Sequence, residues 1–195
     1  MSSPRFDGLI FDMDGTLTRP TLDFQAIRRE IGVPSGDLVE EIGKLAPDRR
    51  AAAWAVVESH EERAVALQEL QDGARDLLAA CRPCGLRTAI VTRNTQRSVD
   101  ALCRKYHLSV DAVVTREFFF IKPHPAPVLH VLTKWALPPG RVLTIGDYVH
   151  DIVAGRAAGT RTCYFQNPGR PLCETEADYT VRSMRELRGI VFPGA

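Results

Sequence analysis

At 195 residues, with 45% hydrophobic and 25% charged side chains, the chain has the make-up of a soluble globular protein and not of a disordered one. A formal net charge of +1 excludes the concentrated basic character that broad nucleic-acid binding needs, and no apolar run approaches the length of a membrane span. The N-terminal MSSPRFDGLIF lacks the order of a secretory leader, and five cysteines do not make a complete disulfide framework, so a cytoplasmic protein with no membrane partner is expected.

In chain order, the first element is a short apolar strand, Leu9–Phe11, inside GLIFDMDGTLTRP. Between Thr18 and Gln71 the pattern is helical throughout: Leu22–Ile31, ended by Gly32-Val33-Pro34, then Asp37–Leu45, then a long helix from Pro47 to Leu70 with the proline in its first turn. From there helices and strands alternate. The helices are Ala74–Arg82, Gln96–Tyr106, Ala126–Ala136, Asp151–Ala158 and Ser183–Arg188. The strands are Arg87–Thr92, Val113–Val114, Val142–Ile145, Thr162–Phe165 and Tyr179–Val181. This alternation predicts an α/β fold, a Rossmann-like doubly wound parallel sheet, with a small helical cap inserted after the first strand. The expected boundaries are 1–17 and 72–195 for the core and 18–71 for the cap. Cys81 and Cys84 form a CxxC pair without a second pair at zinc-ribbon spacing, which predicts ordinary reduced thiols.

Parallel sheets bind ligands beyond the C-terminal ends of their strands. After the first strand stand Asp12, Asp14 and Gly15. After the second stands Thr92-Arg93-Asn94. After the fourth stands Gly146-Asp147, with Asp151 four residues on, and Lys122-Pro123 precedes that strand. Several carboxylates, a hydroxyl and a lysine are thus expected on one edge. Clustered carboxylates repel unless a cation is present, and their hard oxygens suit Mg2+, which favours a phosphate-bearing partner.

The order DxDGT, a threonine after an apolar strand, K-P and GD-x3-D resembles the haloacid dehalogenase-like hydrolase superfamily. The helical insertion is similar to the cap of its phosphoglycolate-phosphatase-like branch. The resemblance implies a Mg2+-dependent phosphatase acting on a small phosphorylated metabolite. Asp12 would be the nucleophile and form an aspartyl-phosphate; Asp14 would protonate the leaving oxygen and later activate water. The metal positions would be Asp12, Asp14 through its main-chain carbonyl, and Asp147, with Asp151 supporting the metal's waters or Lys122. Thr92, the Arg93 amide and Gly15 would hold the phosphate together with Asp12, and Lys122 would neutralise its charge. A carboxylic acid at the Asp14 position favours phosphate chemistry over dehalogenation. A mutase, a phosphotransferase and a non-catalytic member of the fold are the alternatives. TLTRPTLDFQ carries no relay histidine, and a phosphonate-cleaving relative would need a cap lysine, for which Lys44 is the sole candidate.

Other residues have plainer readings. Arg19 is expected on the surface more than on substrate, Trp54 in packing, His60 in solvent, and Phe118-Phe119-Phe120 in core or cap-facing packing. Thr92 is open to a second role as a helix cap.

Overall fold

The computed structural model describes residues 3–21, 23–168 and 176–194. Gly8–Phe11 has no polar face, and it forms β1, buried along its whole length. A strand covered on both sides needs neighbours on both edges and helices on both faces. It has them. Among the described residues the strands are β1, β2 (Arg87–Val91), β3 (Ala112–Val114), β4 (Val142–Gly146), β5 (Arg161–Phe165) and β6 (Tyr179–Val181). They pair in parallel in the order β3-β2-β1-β4-β5-β6. The chain moves outward from β1 to β3, then returns to lay β4 on the other side of β1. That reversal opens a crevice beyond the C-terminal ends of β1 and β4.

Alternation along the strands divides the core into two layers. Leu9, Phe11, Ile90 and Cys163 pack with Leu77, Leu102 and Leu187 of α4 (Ala74–Cys81), α5 (Gln96–Tyr106) and α8 (Met184–Val191). Ile10, Ala89 and Val91 point the other way, onto Val128, Val131 and Ala154 of α6 (Ala126–Trp135) and α7 (Val149–Ala157). The sheet is therefore doubly wound, as the α/β alternation predicts. Cys81 is buried within the first layer; burial pushes its thiol up to about 12, so it packs as a small apolar group and not as a nucleophile.

The chain forms two compact units, Met1–Pro20 with Glu69–Ala195, and Thr21–Gln68. The second unit contains α1 (Phe24–Ile31), α2 (Leu38–Gly43) and α3 (Pro47–Leu67). The expected start of α1 at Leu22 lies outside the described residues. Asp23 caps α1 by accepting from Gln25 N and Ala26 N, Gly32 ends it at φ 73°, and Asp37 caps α2. Ile27, Ile31, Val33, Ile42, Ala53 and Val57 make this unit's own core, with Trp54 against it. The third helix stops at Leu67 and not at Leu70. The residues beyond are taken up in pairing: Arg19 N donates to Glu69 O, Gln71 N donates to Leu17 O, and Leu70 bridges Thr18. No described helix is long and apolar enough to cross a membrane.

One device recurs at the edge opposite the crevice. Asp7, Asp111 and Asp178 each stand one residue before a strand, and each pairs with an arginine at the first residue of a neighbouring strand or, for Arg141, the residue before it. Asp7 takes both ends of Arg141, Asp111 takes Arg87 at 3.1 Å, and Asp178 takes Arg161 at 2.8 Å. Asp111 and Asp178 also accept the next backbone N–H of the partner strand, from Thr88 and Thr162. These clamps tie β1 to β4, β3 to β2 and β6 to β5 at their first residues, where a slip in register would begin.

Burial raises the Asp178 carboxyl, but the hydrogen bonds from Arg161 and Thr162 outweigh it and hold the group below its ordinary 3.8. A folded pKa below the unfolded one stabilises above the unfolded value, and that contribution is lost as pH falls through the folded value. Asp178→Asn is therefore expected to cost about 1 kcal/mol at neutral pH and to narrow the gap to wild type below pH 4, measured by urea unfolding. A constant gap at all pH values would assign the loss to packing alone.

Candidate active site

The end of β1 is turned sharply. Asp12 N donates to Ile145 O, which anchors the aspartate at the mouth of the crevice. Thr16 N and Thr18 N both donate to Met13 O, and Gly15 sits at φ 79°. Gly15 is required there for a second reason: a Cβ would stand 2.1 Å from Asp147 Oδ2. The loop after β4 thus lays the Asp147 carboxylate directly on the Gly15 backbone.

Lys122 stands at the centre. Its side chain is 3% exposed, with Nζ 2.6 Å from Asp12 Oδ1 and 2.5 Å from Asp151 Oδ1. Read alone, a lysine before a proline suggests a solvated side chain; here it is buried between two carboxylates. Burial works against the Lys122 charge, but Asp12 and Asp151 more than offset it, so the ammonium is retained. Burial also drives the Asp12 carboxyl well above its ordinary value, with Lys122 opposing and Asp151 and Asp147 adding to the rise.

Carboxylate oxygens of Asp12, Asp147 and Asp151 lie within 4.8 Å of one another. Three carboxyl groups crowd around the Lys122 ammonium, and a divalent cation among them would offset their mutual repulsion. The donors are all hard oxygens, which fits a small divalent cation such as Mg2+. Asp151 belongs to this cluster, although the sequence expectation gave it only a supporting place. It also serves its own helix. Its second oxygen accepts from Tyr148 N at 3.0 Å, so Asp151 occupies the third position of α7 and reaches back to cap it. That is why α7 starts at Val149 and not at Asp151, and why the GD-x3-D spacing works: one carboxylate both caps the helix and faces the lysine. Gly146 is held to glycine by the same packing, since a Cβ would stand 2.2 Å from Asp151.

The Asp14 carboxylate lies outside the three-carboxylate cluster. It accepts from Thr18 Oγ1 at 3.3 Å and from Asn94 Nδ2. Thr92 is buried at the end of β2; its hydroxyl accepts from Asn94 N at 3.1 Å, which leaves the O–H as a donor. Thr92 does not cap α5, because Thr95 does so by accepting from Ser98 N. The Arg93 guanidinium lies 2.5 Å from His150 Nδ1. A guanidinium only donates, so His150 Nδ1 accepts and its ring proton is on Nε2.

The structure thus gathers Asp12, Asp147, Asp151 and Lys122 in one cluster, with Asp14 and Thr92 joined through Asn94. Two participants escaped the sequence reading, His150 and Asn167, whose amide donates to Asp147 Oδ2 and Gly15 O, and Asn94 was placed at its strand end without a role. Asn94 carried a usable signal, being two residues past Thr92 at the same strand end. The plainer residues sort as follows. Arg19 pairs with Asp72 at 3.0 Å on the surface, and His60 pairs with Glu30 at 2.8 Å. Phe118 packs on the core, but Phe119 is 88% exposed and Phe120 stacks on His124, so two of the three phenylalanines are not core packing. Lys44 is bound by Glu41 at 2.5 Å, which raises its pKa and opposes the neutral amine that Schiff-base chemistry needs.

Comparison with known proteins agrees with this architecture. A family model described as a hydrolase, haloacid dehalogenase-like hydrolase, matches residues 6–159. An uncharacterized hydrolase of Saccharomyces cerevisiae is 32% identical, over 92% of this chain and 88% of its own. The N-acetylmuramic acid 6-phosphate phosphatase of Pseudomonas aeruginosa is 30% identical, over 83% and 82%. Among solved structures, a predicted phosphoglycolate phosphatase from Haemophilus somnus superposes with a TM-score of 0.74 at 20% identity, over 95% of this chain and 98% of that one. A match over residues 6–159 takes in every strand end that carries a clustered carboxylate, and the chain belongs to the haloacid dehalogenase-like hydrolase family.

Proposed function

We propose that the protein is a Mg2+-dependent phosphatase that hydrolyses a small phosphorylated metabolite through an aspartyl-phosphate on Asp12. The observation that carries this is the buried Asp12–Lys122–Asp151 arrangement beside Asp147, a site rich in negative charge with one fixed ammonium. The phosphatases among the relatives support the same reading.

The carboxylates of Asp12 and Asp147, with the Asp14 main-chain carbonyl, would hold Mg2+, which neutralises phosphate oxygens when bound. Asp12 attacks phosphorus with a carboxylate oxygen, and the P–O bond to the leaving group breaks. Lys122 offsets charge on the transferring group and favours the anionic form of Asp12 against the effect of burial. Thr92 donates its hydroxyl, and the Arg93 amide donates beside it, to phosphate oxygens. Asp14 gives its proton to the departing oxygen, then takes one from the water that cleaves the acyl phosphate and regenerates Asp12. Thr18 and Asn94 fix the direction in which that carboxyl points. Asp151 holds Lys122 from the far side. The Arg93 side chain, with His150, is a positive rim group for a second anionic part of the substrate, and phosphoglycolate is one compound of that type.

A phosphate-release screen over phosphorylated metabolites with Mg2+ tests the activity. Release from at least one compound is expected, and no release from a broad panel would move the protein to a binding role. Isomerised product without net release would make it a mutase. With a substrate in hand, Asp12→Asn is expected to keep the fold and lose turnover on the order of 10⁴-fold or more; retained activity would remove Asp12 as nucleophile. Gly146→Ala, which pushes on Asp151 and through it on Lys122, is expected to lower kcat on the order of 10²-fold with the circular dichroism spectrum unchanged. Wild-type kcat in that variant would show that Asp151 has no part in placing Lys122.

A further inference from the structure

We propose that Asn167 is a positioning residue that holds the Asp147 carboxylate in place for a divalent cation. Gln71 locks Asn167 to the chain segments flanking the helical insertion. The inference rests on the cation reading given above.

Asn167 lies just past β5, beside β4, and is 3% exposed. Its amide nitrogen donates to Gly15 O at 2.7 Å and to Asp147 Oδ2 at 3.1 Å. Its amide oxygen accepts from Gln71 Nε2 at 2.9 Å. Both N–H bonds and the oxygen are therefore engaged, and the partners fix the orientation: flipping the amide would set its oxygen against a carboxylate and a carbonyl, both acceptors. Gln71 is itself tied down, since its backbone N donates to Leu17 O at 2.9 Å.

The geometry makes one side chain responsible for two parts of the site. The Asp147 Oδ2 that Asn167 holds is the oxygen packed on Gly15, and the Gly15 carbonyl is the other group that Asn167 holds. Asn167 thereby sets the distance between the Asp147 carboxylate and the turn that carries Asp12 and Asp14. Partners of this kind, which orient a metal-binding carboxylate without touching the metal, contribute substantially to affinity. A neutral donor also suits the position. It fixes the carboxylate without cancelling its charge, whereas an arginine or lysine there would compete with the cation. The Gln71 contact places the same amide next to the segments Leu17–Thr18 and Leu70–Gln71, which pair through the Thr18–Leu70 bridge. A shift in that pair would reach Asp147 through two hydrogen bonds.

The test is Mg2+ binding to the full chain without substrate, by isothermal titration calorimetry and by the rise in Tm with MgCl2. Wild type is expected to bind saturably. Asn167→Ala is expected to raise the Mg2+ Kd about tenfold, beyond any loss in the metal-free Tm. Gln71→Ala, a half-buried position that leaves the Asp147 bond intact, is expected to raise the Kd about threefold and keeps the test open if Asn167→Ala does not fold. A lower metal-free Tm with an unchanged Kd would make Asn167 a structural tie between β5 and β1 and would overturn the proposal. An unchanged Kd in Gln71→Ala would overturn the lock. If wild type itself does not bind Mg2+, the cation reading falls and this inference falls with it; if wild type binds and both variants bind equally well, this inference alone is lost.

Discussion

A buried lysine between two carboxylates organises this molecule. Lys122 reaches Asp12, which follows β1, and Asp151, which caps α7 after β4, so its ammonium joins the two strand ends that face each other across the crevice. Such an arrangement is a poor means of stabilising a fold, because desolvating three charges costs about as much as their attraction returns. With Asp147 added, three carboxyl groups crowd around that ammonium. A cluster of this kind points to a functional site, and on the proposed reading a divalent cation arriving with a phosphoryl group would supply the positive charge that the carboxylates call for.

The two edges of the sheet divide the work. At the N-terminal edge, Asp7, Asp111 and Asp178 pair with arginines of neighbouring strands, one cation to each carboxylate. At the C-terminal edge, carboxylates crowd together. The register set at the first edge fixes which residues emerge at the second: pairing of Phe11 with Ile145 on one side and Ile90 on the other brings Asp12, Asp147 and Thr92 out together. Glycines complete the arrangement by letting backbone and carboxylate approach closely, Gly15 under Asp147 and Gly146 under Asp151.

Much of this was legible in the sequence because Asp12, Thr92 and Asp147 follow apolar runs whose identity as strands is hard to mistake. Asp12 follows LIF and Asp147 follows VLTIG, and a parallel sheet sends all such residues to one edge. Helix ends were legible where a side-chain cap marks them, as Thr95 does for α5. They were misplaced where the terminal residue is engaged in tertiary contacts. Asp151 reads as a helix start but sits a turn inside, and the end of α3 is lost to the pairing around Thr18. Asn167 and His150 were invisible for a different reason. A lone amide or imidazole has no spacing partner in sequence, and its partners are residues 152 and 57 positions away. The clamp aspartates were equally silent, since an aspartate before a strand looks like an ordinary turn residue.

The central claim is that Asp12, made anionic by Lys122 and a cation, takes up a phosphoryl group. The most direct measurement is acid quenching of enzyme, Mg2+ and a phosphomonoester substrate within the first turnover, followed by peptide mass spectrometry. A phosphoryl group on Asp12, accumulating further in Asp14→Asn, is the predicted result. Phosphate release with Asp12 unmodified at every time point, or with the phosphoryl group on another residue, would contradict the account.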